Sequence, residues 1–146
     1  MQSTSFLAGQ VTHTRLPLLP PGQPGLPLLK RLALPQGELA QIYDADEGIR
    51  YLAWIELKPG CLRGNHYHRR KAEFFYLLAG TVELTVEDLA SGERAALTLT
   101  TGDLVFLRPE IVHTYRPLTP GHALEFSPVR FEPSDTFRRE LVPAAA

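Results

Sequence analysis

The sequence predicts an all-β domain, a β-sandwich or barrel, from two observations. From Gly37 onward, short segments rich in aromatic, β-branched and aliphatic residues alternate with turn signals such as DADEG, KPG, TTGD and LTPG. The segments are ELAQIYD, RYLAWIELK, EFFYLLAG, TVELTVED, RAALTLT, LVFL, VHTYRP and ALEFSPV. Strands of about 4–8 residues with a turn about every 8–12 residues are typical of sandwiches and barrels. The length of 146 residues fits one domain with its own core.

The N-terminal part of the chain predicts an extended arm over residues 1–36. Its stretch from Arg15 to Pro35, RLPLLPPGQPGLPLLKRLALP, is dense in Pro, Gly and Leu. Proline fixes φ and lacks a backbone donor, so this stretch cannot form a long helix or a central strand. Its leucines need burial, and we expect the arm to pack across a sheet or a neighbouring subunit.

The barrel is expected over residues 37–132, and its clearest element is a hairpin in TVELTVEDLASGERAALTLT. Val82, Leu84 and Val86 alternate with polar residues before a Ser-Gly turn, so one face of this ribbon is solvated. We also expect Trp54 in the core. Only PSDTFRREL near the end is typical of a helix, with Ser134 or Asp135 as N-cap, so residues 133–146 are predicted to form a tail with a short C-terminal helix.

Composition excludes several classes of partner. Fifteen Lys and Arg residues balance 16 Asp and Glu residues, so no charge footprint for nucleic acid or an anionic membrane surface exists. No apolar run approaches the roughly 18 residues that a membrane span needs, and the N-terminus is not typical of a signal peptide. The single Cys61 excludes an internal disulfide. We therefore expect a cytoplasmic protein.

Two histidines and a glutamate stand out in GCLRGNHYHRRKAEFFYLLAG. Residues i and i+2 of a strand share a face, so His66 and His68 present two imidazoles side by side. Glu73 opens an otherwise apolar segment, and a buried carboxylate requires a cationic or metallic partner. If RRKA turns the chain back, Glu73 lies beside the histidines, and this mixed nitrogen and oxygen set suits divalent Zn, Fe, Mn, Ni or Co. The three cations of that turn, Arg69, Arg70 and Lys71, are expected to be solvated.

A further candidate lies downstream in TGDLVFLRPEIVHTYRP. His113 follows a proline-containing turn and opens another strand, and Tyr115 shares its face by the same period of two. The alternatives are a polar residue at a strand end for His113 and an amphipathic core residue for Tyr115.

These residues give the chain a resemblance to the cupins, a family of small β-jelly-roll barrels. The first cupin motif is Gly, five residues, His-x-His, three or four residues, Glu, six residues, Gly. Gly60, His66, His68, Glu73 and Gly80 satisfy each interval. The second motif has Gly and, eleven positions later, His, as do Gly102 and His113. The resemblance implies a single-domain jelly-roll barrel in which His66, His68, Glu73 and His113 hold a divalent transition metal.

A narrower resemblance concerns RGNHYHRRKAEFFYLLAG, which is similar to cupins that handle nucleotide sugars, such as dTDP-sugar ketoisomerases. It implies a small sugar or nucleotide sugar as substrate and isomerase or epimerase chemistry. His66 or His68 would then act as a base, with Tyr115 as proton donor or orienting group. Arg63 and Arg108 are candidate clamps for a carboxylate or diphosphate, because guanidinium offers a bidentate fork.

Two other functions fit the same residues. With iron, the four ligands could support a dioxygenase acting on a small organic substrate, and without catalysis the barrel could bind a small ligand. A homodimer is also expected, since the Leu- and Pro-rich arm could add to the sheet edge of a partner.

Overall fold

The computed structural model describes residues 2–144, and it is built almost entirely from β-strands. The strands are β1 (Gln2–Phe6), β2 (Val11–Arg15), β3 (Leu18–Leu19), β4 (Lys30–Leu34), β5 (Gly37–Gln41), β6 (Tyr51–Leu57), β7 (Arg63–Tyr67), β8 (Glu73–Ala79), β9 (Thr81–Asp88), β10 (Arg94–Thr100), β11 (Asp103–Leu107), β12 (Ile111–Pro117), β13 (Gly121–Ser127) and β14 (Phe137–Arg138). None of the described residues belongs to a helix long and apolar enough to cross a membrane.

Two antiparallel sheets form the body of the domain. One has six strands in the order β1-β2-β11-β8-β13-β6, and the other has five in the order β10-β9-β12-β7-β14. Apolar side chains from both sheets meet in one buried cluster, with Phe75 and Leu77 from β8 and Val82 and Leu84 from β9 among its members. This architecture confirms the predicted all-β jelly roll. Strands distant in sequence, such as β7 and β12, lie side by side in it.

The hairpin predicted from alternation is confirmed. Strands β9 and β10 pair antiparallel from Thr81↔Thr100 to Glu87↔Arg94. Val82, Leu84 and Val86 are fully buried, whereas the positions between them on β9 are half-buried. The period of two therefore sorts these side chains between the core and the outer face.

The N-terminal segment differs from the predicted arm. Strands β1 and β2 form a hairpin that joins the six-stranded sheet through β11, so residues 2–15 belong to the barrel. Arg15 reinforces this pairing, because its guanidinium donates to both carboxylate oxygens of Asp103 at 3.0 and 3.1 Å. Sequence reasoning missed these strands because TSFLAGQVTHTR is short and polar, and its partner strand lies almost 90 residues downstream.

The proline-rich stretch itself covers the outer face of the six-stranded sheet. Strands β3, β4 and β5 form a small third sheet. Leu16 is buried in a second apolar cluster with Tyr76, and Leu29 packs against it. Burial of these leucines removes apolar surface from water, which offsets the entropy lost in ordering the segment.

The C-terminal helix predicted over PSDTFRREL is wrong. The segment has one 3₁₀ turn, Pro133–Asp135, and then β14, which pairs with β7. Asp135 does not cap a helix, because its carboxylate accepts hydrogen bonds from the backbone N–H groups of Arg69, Arg70 and Lys71. Tertiary hydrogen bonds thus outweigh the local helical preference.

Trp54 also differs from its predicted place in the core. It lies on β6, the edge strand of the six-stranded sheet, and 60% of its surface is exposed. Leu52, two residues earlier, is 65% exposed on the same face. In the aromatic EFFY run, by contrast, Phe75 and Tyr76 are buried.

Candidate functional site

Adjacent strands bring three histidines together. His66 is on β7, His68 follows that strand, and His113 on β12 is the register partner of His66. One nitrogen from each imidazole lies within 4.8 Å of the other two. The two segments that carry these side chains are more than 40 residues apart in the chain, so only the β7–β12 pairing joins them.

A bulge at Asn65 sets this pairing. His113 pairs with His66 and Thr114 pairs with Gly64, which leaves Asn65 as the extra residue, with a φ of 54°. Its side-chain oxygen accepts hydrogen bonds from the Thr114 hydroxyl at 2.7 Å and from the Leu141 N–H at 2.9 Å. These bonds offset the cost of left-handed backbone at a residue other than glycine.

Backbone carbonyls orient the two buried imidazoles. His68 Nδ1 lies 2.9 Å from the carbonyl oxygen of Asp135, and His113 Nδ1 lies 3.0 Å from that of Ile111. A carbonyl oxygen only accepts, so each Nδ1 carries a proton, and in the neutral form of either ring Nε2 presents a lone pair. Both Nε2 atoms are buried without a hydrogen-bond partner among the described residues. Metal-binding imidazoles are characteristically held in this way.

Glu73 on β8 faces these nitrogens from the opposite sheet. It is buried, with Oε1 lying 3.6 Å from His68 Nε2 and Oε2 lying 3.3 Å from His113 Nε2. Tyr115 donates its hydroxyl to Oε2 at 3.2 Å. Burial and the neighbouring Glu73 carboxylate raise the pKa of Tyr115 well above its usual value, so this hydroxyl keeps its proton.

The environment keeps two of the imidazoles, those of His66 and His113, uncharged at neutral pH. Burial, followed by the nearby His113, lowers the pKa of His66 to about 3. Burial likewise lowers the pKa of His113. Three imidazoles and one carboxylate form a donor set that fits a divalent transition metal, which requires deprotonated ligands.

Lys71 corrects the prediction of a solvated turn. Its side chain is buried, and its ammonium lies 3.1 Å from Glu125 Oε1, 3.6 Å from Glu73 Oε1 and 4.3 Å from the ring centre of Tyr51. Arg69 and Arg70 are exposed, as expected. The sequence contains an indication of this burial. Lys71 precedes Glu73 by two positions, and residues two apart in an extended segment lie on the same face.

Glu125 is a second residue that sequence reasoning missed. It lies on β13 opposite Phe75 of β8 and lines the same cavity as Glu73. Burial and the negative charge of Glu73 raise the pKa of Glu125 to about 9, so it carries a proton at neutral pH. Its only signal in the sequence is that it is the single charged residue of ALEFSPV.

The site opens into a cavity of about 310 Å³. Its lining residues are Ile55, Leu62, Arg63, Gly64, His66, Glu73, His113, Tyr115, Glu125 and Arg138. His68 lies behind this surface and is 4% exposed. The cavity is thus lined mainly by charged and polar side chains, at the lower end of the size range of small-molecule sites.

One of the two expected anion clamps is at this cavity and the other is not. Arg63 lines it, with its guanidinium donating to the Glu56 carbonyl oxygen at 3.0 and 3.2 Å. Arg108 does not, because its side chain lies on the same outward face as that of Phe106, with the guanidinium carbon 5.8 Å from the centre of the Phe106 ring. Arg138 of β14 takes the second position instead and donates to the Gly64 carbonyl oxygen at 3.2 Å.

Known proteins share this architecture. The model of the Cupin domain family matches residues 53–127. The structure of dTDP-6-deoxy-D-glucose-3,5-epimerase RmlC from Legionella pneumophila has a TM-score of 0.72 at 13% identity, over 94% of this chain and 76% of that one. The structure of the RmlC epimerase of Mycobacterium tuberculosis has a TM-score of 0.73 at 12% identity, over 93% of this chain and 72% of that one.

A third similar structure is the sugar 3,4-ketoisomerase QdtA from Thermoanaerobacterium thermosaccharolyticum in complex with TDP. It has a TM-score of 0.70 at 17% identity, over 91% of this chain and 90% of that one. At such identities the likeness shows a common fold. No curated protein is significantly similar to this chain in sequence.

Proposed function

The chain belongs to the cupin family, and we propose that it is a metal-dependent isomerase or epimerase acting on a nucleotide-linked keto sugar. The observation that carries the proposal is the pair of buried Nε2 atoms of His68 and His113, which have no hydrogen-bond partner within residues 2–144 and face Glu73 beneath a polar cavity. Leaving buried polar atoms without partners costs free energy, so a ligand that satisfies them is expected.

The proposed metal ligands are His66, His68, Glu73 and His113. A divalent ion bound there would supply Lewis acidity to a carbonyl oxygen. Zn, Fe, Mn, Ni and Co all suit this donor set. The protein contributes imidazoles whose orientation is fixed by the backbone carbonyls of Asp135 and Ile111.

Isomerisation of a keto sugar requires a proton to leave the carbon beside the carbonyl and another to return. Glu125 and Tyr115 line the cavity and hold protons at neutral pH, which suits them as donors. Of the two imidazoles that the sequence offers as a base in an ion-free site, His66 is the one placed to accept the proton, because it lines the cavity and His68 does not. The acid–base version that the sequence left open therefore depends on His66.

Arg63 and Arg138 are proposed to bind the diphosphate of the substrate. Both guanidiniums lie at the cavity and are exposed, so they can turn toward an incoming anion. The cavity volume suits one sugar ring, which leaves the nucleotide outside, beyond the two arginines. Charge-assisted, bidentate hydrogen bonds are the usual means by which arginine holds phosphate.

The test is turnover of TDP-4-keto-6-deoxyglucose, the ligand of one of the similar ketoisomerase structures. Protein loaded separately with each candidate ion should convert this sugar to an isomer, followed by NMR. A Tyr115→Phe variant should lose about a hundredfold in kcat, since it lacks a proton-bearing group at the site. A Tyr67→Phe variant is the matched control, because Tyr67 stacks on Phe137 away from the cavity.

Other outcomes would replace this proposal with the two alternatives. Oxygen consumption that depends on added Fe(II), without sugar isomerisation, would favour a dioxygenase. Tight binding of TDP with no turnover under any metal would favour a ligand-binding protein.

We also propose a homodimer, as the sequence predicts. Its support is the apolar outer face of edge strand β6, where Leu52 and Trp54 are both mostly exposed. A second copy of the same strand face would cover them and remove the unpaired strand edge. Sedimentation velocity at tens of micromolar should give a dimer, and Trp54→Glu should shift it to monomer. A monomeric wild type at that concentration would refute the proposal.

A further inference from the structure

Three arginines surround a surface depression outside the barrel cavity. Arg50 precedes β6, Arg70 lies in the turn between β7 and β8, and Arg130 follows β13. With Pro128, Val129, Glu132 and Asp135 they line a space of about 240 Å³, which shares no lining residue with the barrel cavity. We propose that this depression is a binding site for a phosphate group.

The side chains of these three arginines have no partner in the part of the chain that the structure describes. Within residues 2–144, none of the three guanidiniums donates a side-chain hydrogen bond, forms an ion pair or lies over an aromatic ring. The other arginines do have partners, namely a carboxylate for Arg15, Arg31, Arg94, Arg116 and Arg139, a backbone carbonyl for Arg63 and Arg138, and an aromatic ring for Arg69 and Arg108. The unpartnered arginines of the described chain are therefore those that share one depression.

The acidic residues of the depression do not neutralise it. Asp135 is 5% exposed, and its carboxylate is occupied by the backbone N–H groups of residues 69–71. Glu132 also lines the depression, and it forms no ion pair with an arginine within 4.0 Å among the described residues. Three guanidiniums against two carboxylates leave a positive site that repels cations and attracts anions.

The backbone that carries the arginines is fixed. The Arg50 N–H donates to the Ser127 carbonyl oxygen at 2.9 Å, and the Val129 N–H, one residue before Arg130, donates to the Ser127 hydroxyl oxygen at 3.0 Å. The Arg70 N–H donates to the Asp135 carboxylate. The three side chains therefore start from rigid backbone positions around the depression. Binding of a ligand has to restrict only their side-chain torsions, which limits the entropy cost of binding.

The chemistry of three guanidiniums favours phosphate over carboxylate. Each guanidinium offers a planar fork of donors, and a carboxylate has two oxygens to satisfy them. A phosphate group presents more acceptor oxygens in a tetrahedral arrangement and a larger negative charge at neutral pH. Both inorganic phosphate and the phosphate of an ester have this chemistry.

The test is an NMR titration of the full chain at constant ionic strength. Sodium phosphate and glycerol phosphate should each shift the backbone amides of residues 127, 129–132 and 69–71, while sodium acetate at the same ionic strength should not. Tighter binding of the ester would identify an organic phosphate as the natural ligand. Tighter binding of inorganic phosphate would identify the free ion.

Variants make the result specific. Arg70→Gln and Arg130→Gln should each weaken phosphate binding roughly tenfold, because each removes a charge-assisted contact. Arg116→Gln is the matched control, since Arg116 is exposed on β12 and pairs with Glu83. Phosphate shifts that are equal in all four proteins, or that acetate reproduces, would overturn the site. Assays with TDP-4-keto-6-deoxyglucose test the barrel cavity separately, so either proposal can fail alone.

Discussion

A His113→Ala variant is expected to bind divalent ions at least a hundredfold more weakly than the wild type and to lose turnover with them. The substitution removes a proposed ligand whose Nε2 lies 3.3 Å from Glu73 Oε2. Changes to the groups that merely orient a metal ligand already cost 10–100-fold in affinity, so about a hundredfold is a lower bound for the ligand itself. Competition between apoprotein and a chromophoric chelator for Co²⁺ or Zn²⁺ measures the affinity directly.

The control for this experiment is His122→Ala. His122 is exposed, stacks on Trp54 and belongs neither to the histidine cluster nor to the lining of the cavity, so its loss should leave ion affinity unchanged. Thermal unfolding of both variants reports whether the fold is intact. Equal affinities in wild type and His113→Ala would contradict the proposed ligand set.

The pH dependence of ion binding follows from the lowered pKa values. Protonation of an imidazole competes with metal binding. An ordinary histidine titrates near pH 6.5, but burial lowers the pKa of His66 to about 3 and also lowers that of His113. Lowered pKa values mean that protons compete only in more acidic solution. The ion should therefore stay bound at pH 6, and half-release near pH 6.5 at micromolar metal would contradict this.

A Gly64→Ala variant is expected to lose about 3 kcal/mol of folding stability, roughly 10 °C in the unfolding midpoint. Gly64 has a φ of 99°, a conformation that costs a residue with a Cβ about 1–2 kcal/mol. A Cβ there would also clash with the carbonyl oxygen of His113, and overpacking typically costs a further 1–3 kcal/mol. The clash pushes β12 away from β7, so the imidazoles of His66 and His113 should separate as well.

Gly92→Ala separates the two contributions. Gly92 has a φ of 75°, but apart from its two chain neighbours no described residue has an atom within 4 Å of the position that a Cβ would take, so the alanine carries the backbone cost without the clash. Its expected loss is about 1 kcal/mol, with ion affinity unchanged. Chemical denaturation and the Co²⁺ competition assay measure both effects. Equal stability losses at the two positions would show that the close approach of β7 and β12 contributes nothing to the destabilisation caused by Gly64→Ala.

Local periodicity was sufficient for some features of this protein. A strand alternates faces with a period of two, which placed His66 beside His68 and buried Val82, Leu84 and Val86. The spacing from Gly60 to Gly80 and from Gly102 to His113 indicated the jelly roll, because these intervals match a family motif. Such features depend on residues that are close in the chain or on a spacing that the fold family preserves.

The surroundings of the histidines depended on tertiary structure. Lys71 and Glu125 meet because β8 pairs with β13, and Asp135 reaches His68 because the C-terminal segment pairs with β7. The pairing of β14 with β7 also brings Arg138 to the cavity, whereas Arg108 follows β11 and lies outside it.

Local patterns in the chain were therefore enough to predict the strand rhythm, the paired imidazoles and the acidic and imidazole partners that the motif names. Which strands are neighbours, which cations are buried and which acids keep a proton depended on the three-dimensional arrangement. Within one strand, the period of two fixes the face on which each side chain lies, whereas the identity of the facing residue depends on pairings between segments 40 to 90 residues apart.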